Sequence, residues 1–280
     1  MNIKSVLSQA TSQLSQLPTA QLDAQVLLAY ILRVDRSYFV AWPEKELSVQ
    51  QQQSFDALVQ RRASGEPVAY LLGEKEFWGL TLKVSQHTLI PRPETELLVE
   101  MILKHFSADK QLKVLDLGTG SGAIALALAS EEPNWQLVAV DYSLKALEVA
   151  KDNARQSGIS NVSFKHSNWY DSLGLLEKFD VIVSNPPYIA ENDAHLTALA
   201  YEPRSALVAD DQGLSDIALI CQGAKQHLCS NGMLLIEHGF AQAKDVQRMM
   251  RENHFTNIET VSDLAGLPRV TTGQYMAPML

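Results

Sequence analysis

The sequence predicts an α/β protein: a doubly wound, mostly parallel sheet preceded by a small all-helical domain. Three observations carry this. From Leu112 onward, apolar β-branched runs alternate with segments of helical apolar spacing, the pattern of a parallel sheet covered on both faces. Before about residue 72 only the helical spacing occurs. Clusters of Gly, Asp and Asn fall at the carboxyl ends of successive predicted strands, where open α/β sheets bind ligands.

The bulk composition sets the class. With 46% hydrophobic and 20% charged residues in 280, the chain reads as a globular protein of one large or two smaller domains. No apolar run is long enough to span a membrane. Met1-Asn2-Ile3-Lys4-Ser5 leads into glutamines and serines rather than the apolar core of a signal peptide. Cys221 and Cys229 fall on one predicted helix, which is no disulfide or metal framework and fits a reducing cytoplasm. The net charge of −9 argues against a general nucleic-acid binder, which needs a basic footprint. No apolar stripe is left over, so a monomer is expected. The histidines are scattered without metal-ligand spacing, so no metal is expected.

Taken in order, residues 1–72 read as the helical domain. Ile3, Val6, Leu7, Ala10, Leu14 and Leu17 share one helix face. Pro18-Thr19 break that helix, and Leu22, Val26, Leu27, Tyr30 and Ile31 mark a second. After the break at Trp42-Pro43, Ser48 caps a third helix that runs to about Ala63. Ser64-Gly65-Glu66-Pro67 ends it, and a short helix covers Val68 to Leu72. The segment holds no catalytic constellation and fits either a bundle that only packs or a partner-recognition domain. Residues 73–90 read as a linker, with Phe77-Trp78-Gly79-Leu80 and Thr81-Leu82-Lys83-Val84 as two strands of a hairpin.

Residues 91–280 read as the sheet domain. Pro93 suits the first turn of a helix and Glu94 and Glu96 its positive end. Strands are expected at 112–117, 136–141, 162–166, 179–184, 232–238, about 256–261 and 269–276. Helices are expected at 122–130, 144–156, 214–229 and 240–252. Gly266-Leu267-Pro268 joins the last two strands as an antiparallel hairpin at the sheet edge.

The chemistry sits at four strand ends. Gly118-Thr119-Gly120-Ser121-Gly122 follows the first strand; its glycines permit a tight turn and close ligand approach. Asp141 ends the second, placed to accept hydrogen bonds from ribose hydroxyls. By spacing alone Gly118, Gly120 and Ala123 also fit a dinucleotide fingerprint. Asp116 discriminates: a carboxylate just before the first glycine repels a pyrophosphate and suits a cationic amino-acid moiety, such as the ammonium of S-adenosylmethionine. Asn168 and Trp169 end the third strand, placed to bond an adenine edge and pack on its ring, although a core aromatic reading of Trp169 stays open. Asn185-Pro186-Pro187-Tyr188 ends the fourth, where two prolines force the chain out of the sheet.

The run Leu115 to Ala129, with Asp141, Trp169 and Asn185-Pro186-Pro187-Tyr188, resembles a class I S-adenosylmethionine-dependent methyltransferase with a Rossmann-like sheet. Phe77-Trp78-Gly79, Leu89 to Glu96, Tyr201 to Leu207, Glu237-His238-Gly239 and Asp263 to Val270 narrow the resemblance to the HemK/PrmC family of peptide chain release factor glutamine methyltransferases. The resemblance implies methylation of the side-chain nitrogen of the glutamine in a Gly-Gly-Gln motif of bacterial release factors. It also implies that the helical domain helps to hold the release factor. Asn168 stands where many relatives are expected to carry Asp, and Asn lacks charge assistance for the adenine contact.

The residues give the chemistry independently. A primary amide nitrogen is a poor nucleophile because its lone pair is delocalised into the carbonyl. The Asn185 side-chain oxygen and the Pro186 carbonyl can accept its two N–H groups, and Tyr188 can pack beside it. Positioning and preorganised dipoles then do most of the work. His238 reads as a satisfied structural histidine. Glu191 to His195 reads as a polar loop, braced by Glu202 and Arg204. Competing readings are a glutamine methyltransferase of a ribosomal protein and an adenine-N6 nucleic-acid methyltransferase, which would need a basic surface. An NAD-dependent oxidoreductase, disfavoured by Asp116, and a non-enzymatic cofactor-binding adaptor, which would not need the amide-gripping turn, complete the set.

Overall fold

The computed structural model describes residues 1–106 and 110–276. The chain divides into two compact units, Met1–Glu74 and Lys75–Leu280. The smaller holds α1 (Ile3–Gln13), α2 (Ala20–Leu32), α3 (Ser37–Ala41), α4 (Val49–Ala63) and α5 (Val68–Leu72). Its core gathers Ile3, Leu14, Leu27, Leu28, Phe55 and Val59, all essentially buried; each such side chain contributes about 1.5–3 kcal/mol by leaving water. Ser48 caps α4 in a reciprocal capping box with Gln51, at 3.1 and 2.9 Å. The one-turn α3, ahead of the Trp42-Pro43 break, was not foreseen. Its five residues are too few to show a helical period.

The larger unit begins at Lys75, within the hairpin of β1 (Glu74–Phe77) and β2 (Leu80–Lys83). Its turn lies two residues earlier than expected, because Trp78 and Gly79 both take left-handed φ, 50° and 71°, as a two-residue hairpin turn requires. Phe77 and Leu82 are buried in this unit's core. Asn153 on α8 (Leu144–Gln156) clasps β2, accepting from the Lys83 amide at 2.7 Å and donating to its carbonyl at 3.0 Å.

A seven-stranded sheet follows, in the order β5-β4-β3-β6-β7-β9-β8. Its strands are β3 (Lys113–Leu117), β4 (Gln136–Asp141), β5 (Val162–His166), β6 (Phe179–Ser184), β7 (Leu228–Glu237), β8 (Phe255–Ser262) and β9 (Pro268–Tyr275). The pairs from β5 through β7 are parallel; β9 is antiparallel to both β7 and β8, the expected edge hairpin. Alternate strand residues feed opposite faces. Val114, Leu137, Val181 and Leu235 meet α6 (Glu96–His105) and α7 (Ala123–Glu131). Leu115, Val138, Ile182 and Leu234 meet α10 (Ser215–His227) and α11 (Ala243–Glu252). The short turn α9 (Asp210–Gly213) precedes α10. This is the doubly wound architecture the alternation predicted.

One assignment is corrected. Cys221 lies on α10 but Cys229 on β7, which starts at Leu228. The run Ser230-Asn231-Gly232 reads as a turn, yet it is carried in the strand with Asn231 at φ 66°, beside an irregularity in the β6–β7 register. Among the described residues no helix is long and apolar enough to cross a membrane.

Strand order reverses between β3 and β6: β4 and β5 extend to one side of β3, and β6 and β7 to the other. The crevice at the carboxyl ends of these strands is where such a sheet opens to ligands.

Candidate functional site

The turn after β3 brings backbone closest to that crevice. Gly118 and Gly120 take left-handed φ of 72° and 57°, which residues with a Cβ rarely hold. The Gly118 and Thr119 amides both donate to the Val140 carbonyl at 2.9 Å, tying the turn to β4. Asp141 Oδ2 accepts from the Gly120 amide at 2.8 Å and Oδ1 from the Ser143 amide at 2.7 Å. Burial pushes the Asp141 carboxyl up, against the pull of those two amides. Two donors leave part of its acceptor capacity free for hydroxyls.

A cavity opens over this turn. Gly118, Thr119, Gly120, Ser121 and Asp141 line one side, and Asn168, Trp169, Asn185 and Pro187 also line it. Gly122, Pro186 and Tyr188 do not. Gly122 starts α7 at φ 86°, and a Cβ there would lie 3.0 Å from Leu126 Cδ1 and 3.3 Å from Ala150. It is a close-packing glycine between α7 and α8. Residues that sequence reasoning did not assign also line the cavity: His87 and Thr88 from the segment before α6, Thr95 at its start, and Asp216 on α10.

Asp116 lies buried beneath the turn. Its Oδ2 accepts from the Thr119 hydroxyl at 2.6 Å, and its Oδ1 has no hydrogen-bond partner among the described residues. Burial pushes this carboxyl up to about 7, with the Thr119 hydroxyl pulling it back. Trp169 lines the cavity and is also a core aromatic. It packs against the core beneath the sheet, and its ring lies 3.4 Å from where a Gly118 Cβ would sit. Its own φ is 47°; the Ser167 hydroxyl donates to its carbonyl at 2.9 Å.

At the end of β6, the Asn185 amide donates from Nδ2 to Thr95 Oγ1 at 3.1 Å. Tyr188 turns its hydroxyl to Glu237 Oε1, at 3.3 Å, and burial beside that carboxylate raises its pKa. The Tyr188 carbonyl accepts from Gln242 Nε2 at 3.0 Å, while Gln242 Oε1 accepts from the Gly239 amide at 2.8 Å. Glu237, at the end of β7, is 1% exposed, and burial pushes it up to about 7. Sequence reasoning gave Thr95, Glu237 and Gln242 no individual role, although Thr95 and Glu237 lie in the segments Leu89 to Glu96 and Glu237-His238-Gly239 that carry the family resemblance.

The bracing of the polar loop divides. Arg204 does reach Glu191, at 3.2 Å. Glu202 does not: it accepts from the Ile90 amide at 2.9 Å and pairs with Arg92, fixing the segment that carries His87 to Pro91 over the cavity. His238 is satisfied as expected, with its two ring nitrogens at the Gly239 carbonyl and the Thr271 hydroxyl, 2.9 and 2.8 Å.

Comparison with known proteins places this geometry. Residues 5–73 match a family profile described as the PrmC N-terminal domain, and residues 108–278 one described as a methyltransferase domain. The release factor glutamine methyltransferase of Vibrio cholerae is 48% identical over 98% of this chain and 97% of its own. That of Coxiella burnetii is 46% identical over 96% and 98%. The chain belongs to the release factor glutamine methyltransferase family. A relative with the same name from Aliivibrio fischeri is 48% identical over 91% of this chain and 90% of its own. Among solved structures, a methyltransferase from Pyrococcus furiosus superposes with a TM-score of 0.54 at 18% identity, over 71% of this chain and 90% of its own. The methyltransferase domain of METTL16 gives 0.55 at 15% identity, over 72% and 90%. These two likenesses concern the class I methyltransferase fold of this family member.

Proposed function

We propose that the cavity binds S-adenosyl-L-methionine and that the Asn185 turn presents the side-chain amide nitrogen (N5) of the glutamine in the Gly-Gly-Gln motif of a bacterial peptide chain release factor. The observation that carries this reading is the Asn185–Thr95 contact at 3.1 Å. It engages the donor end of the Asn185 amide and leaves Oδ1 as an acceptor at the cavity wall.

The residues fit the methyl donor. Gly118 to Ser121 give close backbone approach, Asp141 has lone pairs left for ribose hydroxyls, and Asn168 and Trp169 offer a polar edge and a ring face. Asp116 Oδ1, buried and unpartnered, suits a cationic moiety. The bound donor supplies an electrophilic methyl carbon on a positively charged sulfur. The chain supplies the rest. Asn185 Oδ1 and the Pro186 carbonyl accept the two N–H groups of the glutamine amide, fix its plane and stabilise positive charge on its nitrogen. Tyr188, fastened through its hydroxyl and carbonyl, holds the turn in shape. No strong base is required, because a methylated amide nitrogen bearing positive charge loses its proton readily to water.

The helical residues 1–72 are read as helping to hold the release factor. With its net charge of −9, the chain offers no general basic footprint for nucleic acid, and it is read as a cytoplasmic monomer. Labelled methyl donor, offered with a release factor, a Gly-Gly-Ala version, ribosomes and duplex DNA, tests the substrate. The expected result is label on the release factor that disappears with Gly-Gly-Ala. Label on ribosomes or DNA alone would overturn the reading.

A further inference from the structure

Gln242 stands at the start of α11 but its side chain makes no capping bond to that helix. It reaches three other stretches of chain instead. Its Nε2 donates to the Tyr188 carbonyl at 3.0 Å and the Gln212 carbonyl at 3.1 Å, and its Oε1 accepts from the Gly239 amide at 2.8 Å. All three partners are backbone groups of fixed polarity, so the amide can be turned only one way. Two glycines leave room for it: a Cβ on Gly213 would lie 2.9 Å from Nε2, and one on Gly239 2.9 Å from Oε1.

The Tyr188 carbonyl ends a stiff run. Pro186 and Pro187 have fixed φ, and Asn185 and Pro186, each before a proline, are restricted to extended ψ. The near end of the run is anchored in the sheet. Ser184 pairs with both Leu117 and Ile236, and its hydroxyl donates to the Leu117 carbonyl at 2.8 Å. The far end is Tyr188. With few soft torsions between the two, the place of the Tyr188 carbonyl sets the tilt of the Pro186 carbonyl and of the Asn185 side chain. The other carbonyl that Gln242 holds lies in the left-handed run Asp211-Gln212-Gly213, at φ 51°, 56° and 84°. Such backbone persists only where its surroundings hold it, and here it brings Gly213 against Tyr188.

We propose that Gln242 is a positioning residue for methyl transfer: by tying the Tyr188 carbonyl to Gln212 and Gly239, it fixes the far end of the turn and aims Asn185 Oδ1 and the Pro186 carbonyl at the glutamine amide. The inference rests on the reading of that turn as the amide clamp. Gln242 does not line the cavity and acts only through the backbone it holds. Its loss leaves the donor's contacts in place and misdirects the amide, and a misplacement of about 1 Å costs on the order of a hundredfold in rate. A role confined to bracing α11 has a different consequence. Gln242→Glu keeps an acceptor for the Gly239 amide and puts negative charge at the positive end of α11, so the helix start tolerates it. As a clamp on two carbonyls it fails, because an ionised carboxylate has no hydrogen to give and repels both.

The test is single-turnover methylation of a release factor, at saturating donor and mildly alkaline pH, by wild type, Gln242→Glu, Gln242→Met, Asn185→Ala and the double variant of Gln242→Met with Asn185→Ala. Donor affinity, KM for the release factor and Tm are measured alongside. The expected result is a rate lowered on the order of tenfold to a hundredfold in both Gln242 variants. Donor affinity and KM stay within a few-fold, and Tm stays well above the assay temperature. In the Asn185→Ala background the loss from Gln242→Met should shrink to a few-fold, because residues that act through one another are not additive; a loss from general destabilisation would persist in full. A wild-type rate in Gln242→Glu, an undiminished loss in the double variant, or a loss confined to donor affinity would overturn the inference. If Gln242→Met does not fold, Gln242→Glu decides. A wild type inactive on release factors, or a full rate in Asn185→Ala, would refute the underlying reading instead; a crippled Asn185→Ala beside unaffected Gln242 variants refutes only this one.

Discussion

Asp116 sets a cost against a use. A buried carboxylate with one oxygen unpartnered among the described residues is held at about 7, above its ordinary 3.8, chiefly by burial. Because the folded value is raised, this group favours the fold most below about 3.8 and loses that contribution as pH rises through about 7. Asp116→Asn is therefore expected to narrow the difference in Tm between mildly acidic and mildly alkaline pH. It should also weaken donor binding by about tenfold or more, because a buried charge partner is lost. Thermal melts at two pH values and donor titrations check both. At this scale the sequence was informative where function is written in contiguous residues: Gly118, Gly120, Asp141 and Asn185 all line the cavity. It gave Thr95 and Glu237 no individual role, although both lie in segments that carry the family resemblance. Thr95 lies 90 positions from Asn185 and reads as an ordinary helix-start residue, so only tertiary folding reveals its partner. Glu202 was misassigned for the same reason, since its partners Ile90 and Arg92 are more than a hundred positions away.

Among the elements, the tightest constraint falls on the turn α9. Asp211, Gln212 and Gly213 take φ of 51°, 56° and 84° in succession, a costly run for residues with side chains. A Cβ on Gly213 would lie 2.1 Å from the Tyr188 carbonyl oxygen, the atom that Gln242 also grips. Gly213→Ala is expected to destabilise the protein by on the order of 2–4 kcal/mol and to lower kcat more than donor affinity, because the Asn185 turn shifts. Denaturant unfolding and kinetics read the two effects. Strands β3, β4, β5 and β6 were legible because apolar, β-branched runs bounded by Gly, Pro or Asp have little alternative. The start of β7 was not, because pairing with β6 overrides the turn-like local sequence there. Short elements such as α3 stayed hidden because they are smaller than the period used to find them.

At the scale of the whole molecule, two cores form from separate stretches of chain: Ile3 to Leu71 supply the helical unit, and Phe77 onward the sheet unit. That division was visible as a change from helical spacing alone to alternating strands and helices. The convergence of Gly118, Asp141, Trp169 and Asn185 was inferable from the rule that strand ends share a crevice; the hydrogen bonds that fix Asn185 were not. Single-turnover methylation of a release factor by Asn185→Ala, with donor affinity measured in parallel, tests most directly whether the Asn185 turn presents the glutamine amide. A rate lower by on the order of a hundredfold or more with donor binding largely retained is predicted; a near-wild-type rate would contradict it.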